Sequence, residues 1–133
     1  MIYIVDFGSQ VTQLIARRVR EAGVYCEIIS NNSLLKNIEK TGCSGIIFSG
    51  GPASVHKANT PKIDKKAFNL NIPILGICYG MQLICHQLGG KVQLSKKREF
   101  GKTLIKPFKR SILFTGFNRG KTSSHVWMSH GDK

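Results

Sequence analysis

A chain of 133 residues makes one domain with a real core and is too short for two, and 41% apolar residues with 14 glycines suit a globular α/β protein. With no apolar run of membrane-spanning length, and an opening Met1-Ile-Tyr-Ile-Val-Asp6 that lacks the basic n-region of a secretory signal, no membrane association and a cytoplasmic protein are expected. The net charge of +13 points toward nucleic acid, but the lysines are scattered. The dense groups Arg17-Arg18-Val19-Arg20 and Lys96-Lys97-Arg98 carry no interleaved aromatics for base stacking, which argues against that partner.

Ile2 to Val5 read as a buried first strand, ending in Asp6-Phe-Gly-Ser-Gln10, a polar turn of the kind that leads into a helix. From Val11 onward Leu14, Ile15, Val19 and Ala22 recur at helical spacing, and Gly23 is placed to close that helix. Tyr25 to Ile29 predict a second strand. Ser33 is placed to cap a short helix through Ile38. Ile46-Ile-Phe48 form a third strand that runs straight into Ser49-Gly-Gly-Pro52. Paired glycines at the carboxyl end of a buried strand let backbone N–H groups face a crevice, and an ordinary tight turn is the plain alternative. Thr60 and Pro61 predict a helix to about Leu70.

The most informative stretch is Ile72-Pro-Ile-Leu-Gly-Ile-Cys78-Tyr-Gly-Met-Gln82 and the helix that continues to Leu88. Ile74, Leu75 and Ile77 suit a buried strand, while Met81, Ile84, Cys85 and Leu88 recur at helical spacing, so strand meets helix at Cys78. Gly76 and Gly80 remove the two Cβ atoms that would crowd so sharp a turn, the pattern of a nucleophile elbow with cysteine as nucleophile. The partial positive charge at a helix mouth favours thiolate over thiol, and the Tyr79 N–H points where an oxyanion would form. The Gly50–Gly51 loop offers a second oxyanion donor. Cys26, Cys43 and Cys85 lack this setting and read as small buried hydrophobes. With no C-x-x-C pair, neither zinc nor disulfides are indicated, and no metal or cofactor is expected.

Gly89-Gly90 stop the elbow helix, and Val92 to Leu94 begin another strand. Phe100 to Ile105, Ile112 to Phe114 and Val126 to Met128 are weaker strand candidates. The alternation of strands and helices predicts an α/β fold, a flavodoxin-like doubly wound, mostly parallel sheet with helices on both faces and a crevice at its carboxyl edge.

Gly76-Ile-Cys78-Tyr-Gly80-Met-Gln82, preceded by Phe48-Ser-Gly-Gly-Pro52-Ala-Ser-Val55 and opened by Asp6-Phe-Gly-Ser-Gln10, resembles the class I (triad) glutamine amidotransferases. His86-Gln-Leu-Gly-Gly90, Arg98-Glu-Phe-Gly101 and Val126-Trp-Met-Ser-His-Gly-Asp-Lys133 narrow the resemblance to the amidotransferase domains of the GMP-synthetase type. The resemblance implies a Cys78 nucleophile, an oxyanion hole from the backbone N–H groups of Gly51 and Tyr79, and glutamine as substrate. It also implies that Gln82 and the segment Ser129-His130-Gly131 bind the amino-acid end of that glutamine. In the family a His-Pro-Glu motif beyond Ser-His-Gly-Asp completes the triad. No such motif occurs through Lys133, so one truncated domain over residues 1–133, inactive or very weak alone, is expected. His86 lies eight residues from Cys78, roughly 12 Å along a helix, too far to serve as base. His56 has no orienting carboxylate in its loop.

Three readings follow. The first is a catalytically incomplete amidotransferase-like domain. The second is a glutaminase subunit completed by a synthetase or another partner chain that brings the histidine and glutamate. The third is a non-catalytic module that binds through its basic surface.

Overall fold

Four apolar runs become parallel strands, β1 (Ile2–Asp6), β2 (Cys26–Ser30), β3 (Gly45–Phe48) and β4 (Ile74–Gly76), in the order β2-β1-β3-β4. The structure, a computed structural model, describes residues 1–106, 112–115 and 123–132, with the backbone alone for 94–100 and 129–132. It resolves into two compact units, Met1–Val92 and Gln93–Lys133. In the first, Ile4 of β1 pairs with Ile28 and Ile47, and Phe48 of β3 with Gly76. Alternate residues therefore face opposite sides. Tyr3, Val5, Ile46 and Phe48 pack with Leu34 of α2 (Leu34–Thr41) and Leu83 of α3 (Tyr79–Gln87). Ile4, Cys26 and Ile47 pack on the other face with Ala16 of α1 (Val11–Glu21). This is the doubly wound, mostly parallel arrangement expected, with helices on both faces.

Several boundaries follow the sequence signals and several do not. Helix α1 ends as predicted, with Gly23 at φ 77° and the Val24 N–H returning to the Val19 carbonyl at 3.2 Å. Its inward stripe differs: Thr12 and Ala16 are buried, whereas Leu14 is 48% exposed. Ser33 precedes α2 but does not cap it through its side chain, because its hydroxyl donates to the Ser30 carbonyl across a 3-10 turn, Asn31–Ser33. Met81 of α3 and Leu88 at its C-cap face outward, and Tyr79 and Leu83 reach the core, with Ile84 and Cys85 packed against it. Leu75 is partly exposed, since β4 has β3 as its one strand partner among the described residues.

The helix expected from Pro61 to Leu70 is absent. Residues 61–64 are irregular, and only a 3-10 turn, Lys65–Asn69, forms, with the Asp64 carboxylate accepting from the Lys66 N–H. Tertiary hydrogen bonds override the local signal. The Gln87 side chain takes both backbone groups of buried Ile63, accepting its N–H at 3.1 Å and donating to its carbonyl at 2.7 Å. The Tyr79 hydroxyl donates to the Pro61 carbonyl at 2.5 Å. Groups engaged this way cannot enter an i to i+4 ladder. Cys26 is buried and Cys43 and Cys85 are half-buried, as small apolar residues would be. Burial pushes the Cys43 thiol above its ordinary value.

The second unit is an antiparallel pair, β5 (Leu94–Ile105) and β6 (Ser124–Asp132), with Phe100 opposite Ser129 and Ile105 opposite Ser124. The separate strands expected at 92–94 and 100–105 are one strand, and 112–114 is a 3-10 turn. The alternation therefore ends in a hairpin and not in a fifth parallel strand. Among the described residues no helix is long and apolar enough to cross a membrane.

Replacing Gln87 by Leu leaves the Ile63 N–H and carbonyl without their partners. A stability loss of about 1–3 kcal/mol is expected in urea unfolding, with faster hydrogen exchange at the Ile63 amide than in the parent chain.

Candidate active site

Strand β4 and helix α3 are separated only by Ile77 and Cys78, and two glycines make that possible. A Cβ built on Gly76 would lie 2.6 Å from the Met81 Cα, and one on Gly80 would lie 2.6 Å from the Phe48 Cβ. Neither position has room for any side chain, so the first turn of α3 rests directly on β3. Backbone hydrogen bonds seal the contact. The Ile77 N–H donates to the Phe48 carbonyl at 3.0 Å and the Gly80 N–H to the Ser49 carbonyl at 3.1 Å.

Cys78, held between these glycines, takes φ 51° and ψ −116°, a left-handed conformation that costs a residue with a Cβ about 1–3 kcal/mol. Its side chain is exposed and makes no cap hydrogen bond to α3, while its carbonyl accepts from Met81 and Gln82 at 3.0 and 3.1 Å. The sulfur therefore stands at the open N-terminal end of a helix, where the macrodipole favours negative charge. This corner lies at the carboxyl edge of the parallel strands, where doubly wound sheets take their ligands.

The loop after β3 lies against the same corner. A Cβ on buried Gly50 would sit 3.4 Å from the Cys78 Cβ, and one on Gly51 would sit 3.0 Å from the Phe7 Cβ. Phe7 in turn packs edge-on against Tyr79 and Phe48, with ring centroids 5.2 and 5.9 Å apart. Burial raises the Tyr79 phenol above its ordinary range, the Thr60 hydroxyl partly offsetting it.

A buried polar chain lies beneath this loop. Asp6 Oδ1 accepts from the Gly8 N–H and the Thr12 hydroxyl, both at 2.9 Å, and Thr12 Oγ1 lies 2.9 Å from Ser49 Oγ. The Ser49 hydroxyl reaches the Gly50 carbonyl at 3.1 Å. Thr12 is 2% exposed and Ser49 0%, so these hydroxyls have only one another and the chain as partners.

Of the residues singled out in the sequence, Cys78, Tyr79, Gly51 and half-buried Gln82 share this corner of the first unit. Ser129, His130 and Gly131 lie on β6 in the second unit, and their side chains fall outside the described residues. His86 is exposed on α3, eight residues beyond Cys78, and His56 is exposed in the loop after β3. Among the described residues no histidine pairs with a carboxylate, the ion pairs being Arg17–Glu21 and Arg18–Glu21, and no three His, Cys, Asp or Glu side chains converge as a metal site requires. Thr12 and Ser49 were not among the sequence candidates. Their signal was a hydroxyl on the inward stripe of α1, four residues before Ala16, and a serine ending an otherwise apolar strand.

The model of the glutamine amidotransferase class-I family matches residues 3–133. The chain belongs to the class I glutamine amidotransferases. Among the relatives of this amidotransferase, GMP synthase (glutamine-hydrolyzing) of Clostridium perfringens is 53% identical over 132 residues and that of Aquifex aeolicus 52% over 132 residues. Each alignment takes in 99% of this chain and 25% of the relative, so the chain spans about a quarter of the length of the curated relatives it matches. In the crystal structure of a GMP synthase subunit from Thermoplasma acidophilum, described as putative, the match covers 99% of this chain and 65% of that one. The TM-score is 0.77 at 33% identity. In sequence and in fold the amidotransferase is thus similar to GMP synthases.

Two pairs of substitutions test the elbow geometry. Cys78→Gly relieves the left-handed strain and is expected to melt at a higher temperature than Cys78→Ala, the difference corresponding to about 1 kcal/mol. Gly80→Ala drives a methyl into Phe48 and is expected to cost about 1–3 kcal/mol or more, whereas Gly45→Ala, with only ordinary contacts at 3.8 Å and beyond, is expected to leave the melting temperature nearly unchanged.

Proposed function

We propose that residues 1–133 carry the nucleophilic half of a glutaminase, with Cys78 attacking the side-chain amide of glutamine. The observation that carries this reading is an exposed cysteine at φ 51° between a parallel strand and a helix N-terminus, with Gly50 packed against it, in a chain of this family. The Cys78 thiolate forms a C–S bond to the amide carbon while the carbonyl π pair moves onto oxygen. The N–H groups of Gly51 and Tyr79 receive that oxyanion. Collapse of the adduct breaks the C–N bond, ammonia leaves with an added proton, and a glutamyl thioester remains for water to hydrolyse. Gln82, one helical turn beyond Cys78, holds the amino-acid end of the substrate.

Both proton transfers need a base. Since His86 and His56 are poorly set for it, the imidazole and its carboxylate come in this reading from outside residues 1–133, either further along the polypeptide or from a completing partner. The ammonia then serves an amination carried out by a synthetase part, in the cytoplasm, with no metal or cofactor needed for the hydrolytic step. Acid–base catalysis by histidine contributes about 10²–10⁴-fold, so residues 1–133 alone are expected to turn over glutamine at least a hundredfold below rates ordinary for enzymes. The test compares the purified chain with Cys78→Ala. A chloromethyl ketone analogue of glutamine is expected to label one equivalent of the parent chain and none of the variant. Absence of labelling, or turnover that survives Cys78→Ala, would overturn the reading.

A further inference from the structure

The Gly50 carbonyl and the Gly51 N–H belong to one peptide group. That group is trans, as no peptide bond of the described chain is cis, so its carbonyl and its N–H point in opposite directions. The carbonyl is held from the buried side, by the Ser49 hydroxyl at 3.1 Å. The N–H is therefore directed away from the buried serine. The Ser49 side chain has two partners in reach, this carbonyl and one hydroxyl. It is fully buried, its one neighbour of the same kind is the Thr12 hydroxyl at 2.9 Å, and Thr12 is itself anchored by Asp6 Oδ1 at 2.9 Å.

The proton count matters here. Thr12 has one hydroxyl proton and two oxygens within 2.9 Å that could take it, while Ser49 has one proton and can give it to Thr12 or to the Gly50 carbonyl. The Asp6 carboxylate only accepts, so the Thr12 proton rests on Asp6 Oδ1 and Thr12 Oγ1 faces Ser49 as an acceptor. When Ser49 gives its proton to the Gly50 carbonyl, the peptide is polarised and its N–H becomes the better donor. When Ser49 turns its proton toward Thr12, the peptide loses that support.

Ser49 is also the junction of the corner. Its N–H donates to the Val5 carbonyl of β1 at 3.1 Å, and its carbonyl accepts from Gly80 in the first turn of α3 at 3.1 Å. One residue thus ties β1, α1 and the nucleophile helix to the loop beside Cys78.

We propose that Ser49 is the positioning residue of the anion site: its hydroxyl holds and polarises the Gly50–Gly51 peptide so that the Gly51 N–H is presented to an oxyanion on the Cys78 adduct. This rests on the glutaminase reading above.

The experiment uses the full chain and two probes. Glutamate γ-semialdehyde adds to the Cys78 thiolate, forming a C–S bond as the carbonyl π pair becomes an alkoxide oxygen, with no leaving group, so its affinity reports the anion site. Iodoacetamide alkylates the same sulfur by displacing iodide and develops no oxyanion, so its rate reports the thiolate alone. Ser49→Ala is expected to weaken the aldehyde about tenfold or more, losing an anion-site donor outright being worth about 10²–10³, with the alkylation rate within twofold of the parent. Thr12→Val, which keeps the side-chain volume and removes the rival acceptor for the Ser49 proton, is expected to leave the aldehyde bound at least as tightly as in the parent.

Unchanged aldehyde affinity in Ser49→Ala, or equal losses with both probes, would overturn the proposal and leave the glutaminase reading standing. If Ser49→Ala does not fold, the same criteria apply to Ser49→Gly. A parent chain that takes up iodoacetamide at Cys78 but forms no aldehyde adduct would overturn the glutaminase reading itself, and this proposal with it.

Discussion

The site depends on how closely α3 approaches β3. With a glycine at 80, the first turn of the helix lies on Phe48 with no side chain between them, and with a glycine at 76 the strand can turn back under Met81. Everything that gives Cys78 its chemistry follows from that approach: its left-handed backbone, its exposure, and its place at the open end of the helix. The strain at Cys78, about 1–3 kcal/mol, is sustained because backbone bonds on both sides, from Ile77 to Phe48 and from Gly80 to Ser49, hold the turn in register with the sheet. A nucleophile on a freely jointed loop would relax from that conformation.

The corner is also built from more than one connection of the fold. The turns after β1, β3 and β4 converge there, as the parallel order β2-β1-β3-β4 requires, and they are joined by buried hydroxyls as well as by apolar packing. Aromatic rings of Phe7, Phe48 and Tyr79 fill the space beneath, and the Tyr79 hydroxyl and Gln87 amide tie residues 61–63 to α3. The site is thus set on strand ends and one helix, with a long irregular segment laid over them.

The elements that fixed the reading from sequence were those whose signals are local. Ile46-Ile-Phe48 and Ile74-Leu75 are strands because they are short apolar runs ended by glycine-containing turns, and Gly23 closes α1 because a left-handed residue is needed there. Cys78 was legible for the same reason, since flanking glycines at a strand-to-helix switch describe a steric constraint directly. What could not be read depends on partners distant in sequence. Thr60-Pro61 carries a helix-start signal, yet Tyr79 and Gln87, 18 and 24 residues along from Pro61 and Ile63, claim its backbone. Leu14 and Met81 fit apolar stripes but face outward, because Thr12 and Gly80 set the rotation of α1 and α3 through contacts no periodicity reveals. The pairing of β5 and β6 was equally hidden: long strands pair by register, and neither composition nor alternation indicates antiparallel partners 19 or more residues apart.

A chain held for covalent chemistry at one sulfur should betray it by the intermediate it keeps. Incubating residues 1–133 with glutamine, quenching in acid and weighing the peptide that carries Cys78 reads this directly. A glutamyl group building up on that peptide over a long incubation, absent from those of Cys26, Cys43 and Cys85, is the expected result, since attack needs the elbow, while formation and hydrolysis of the thioester are both slow without a base that His86 and His56 are poorly set to provide. A Cys78 peptide of unchanged mass, with the glutamyl group on another cysteine or on none, would contradict the role assigned to the strand-to-helix turn.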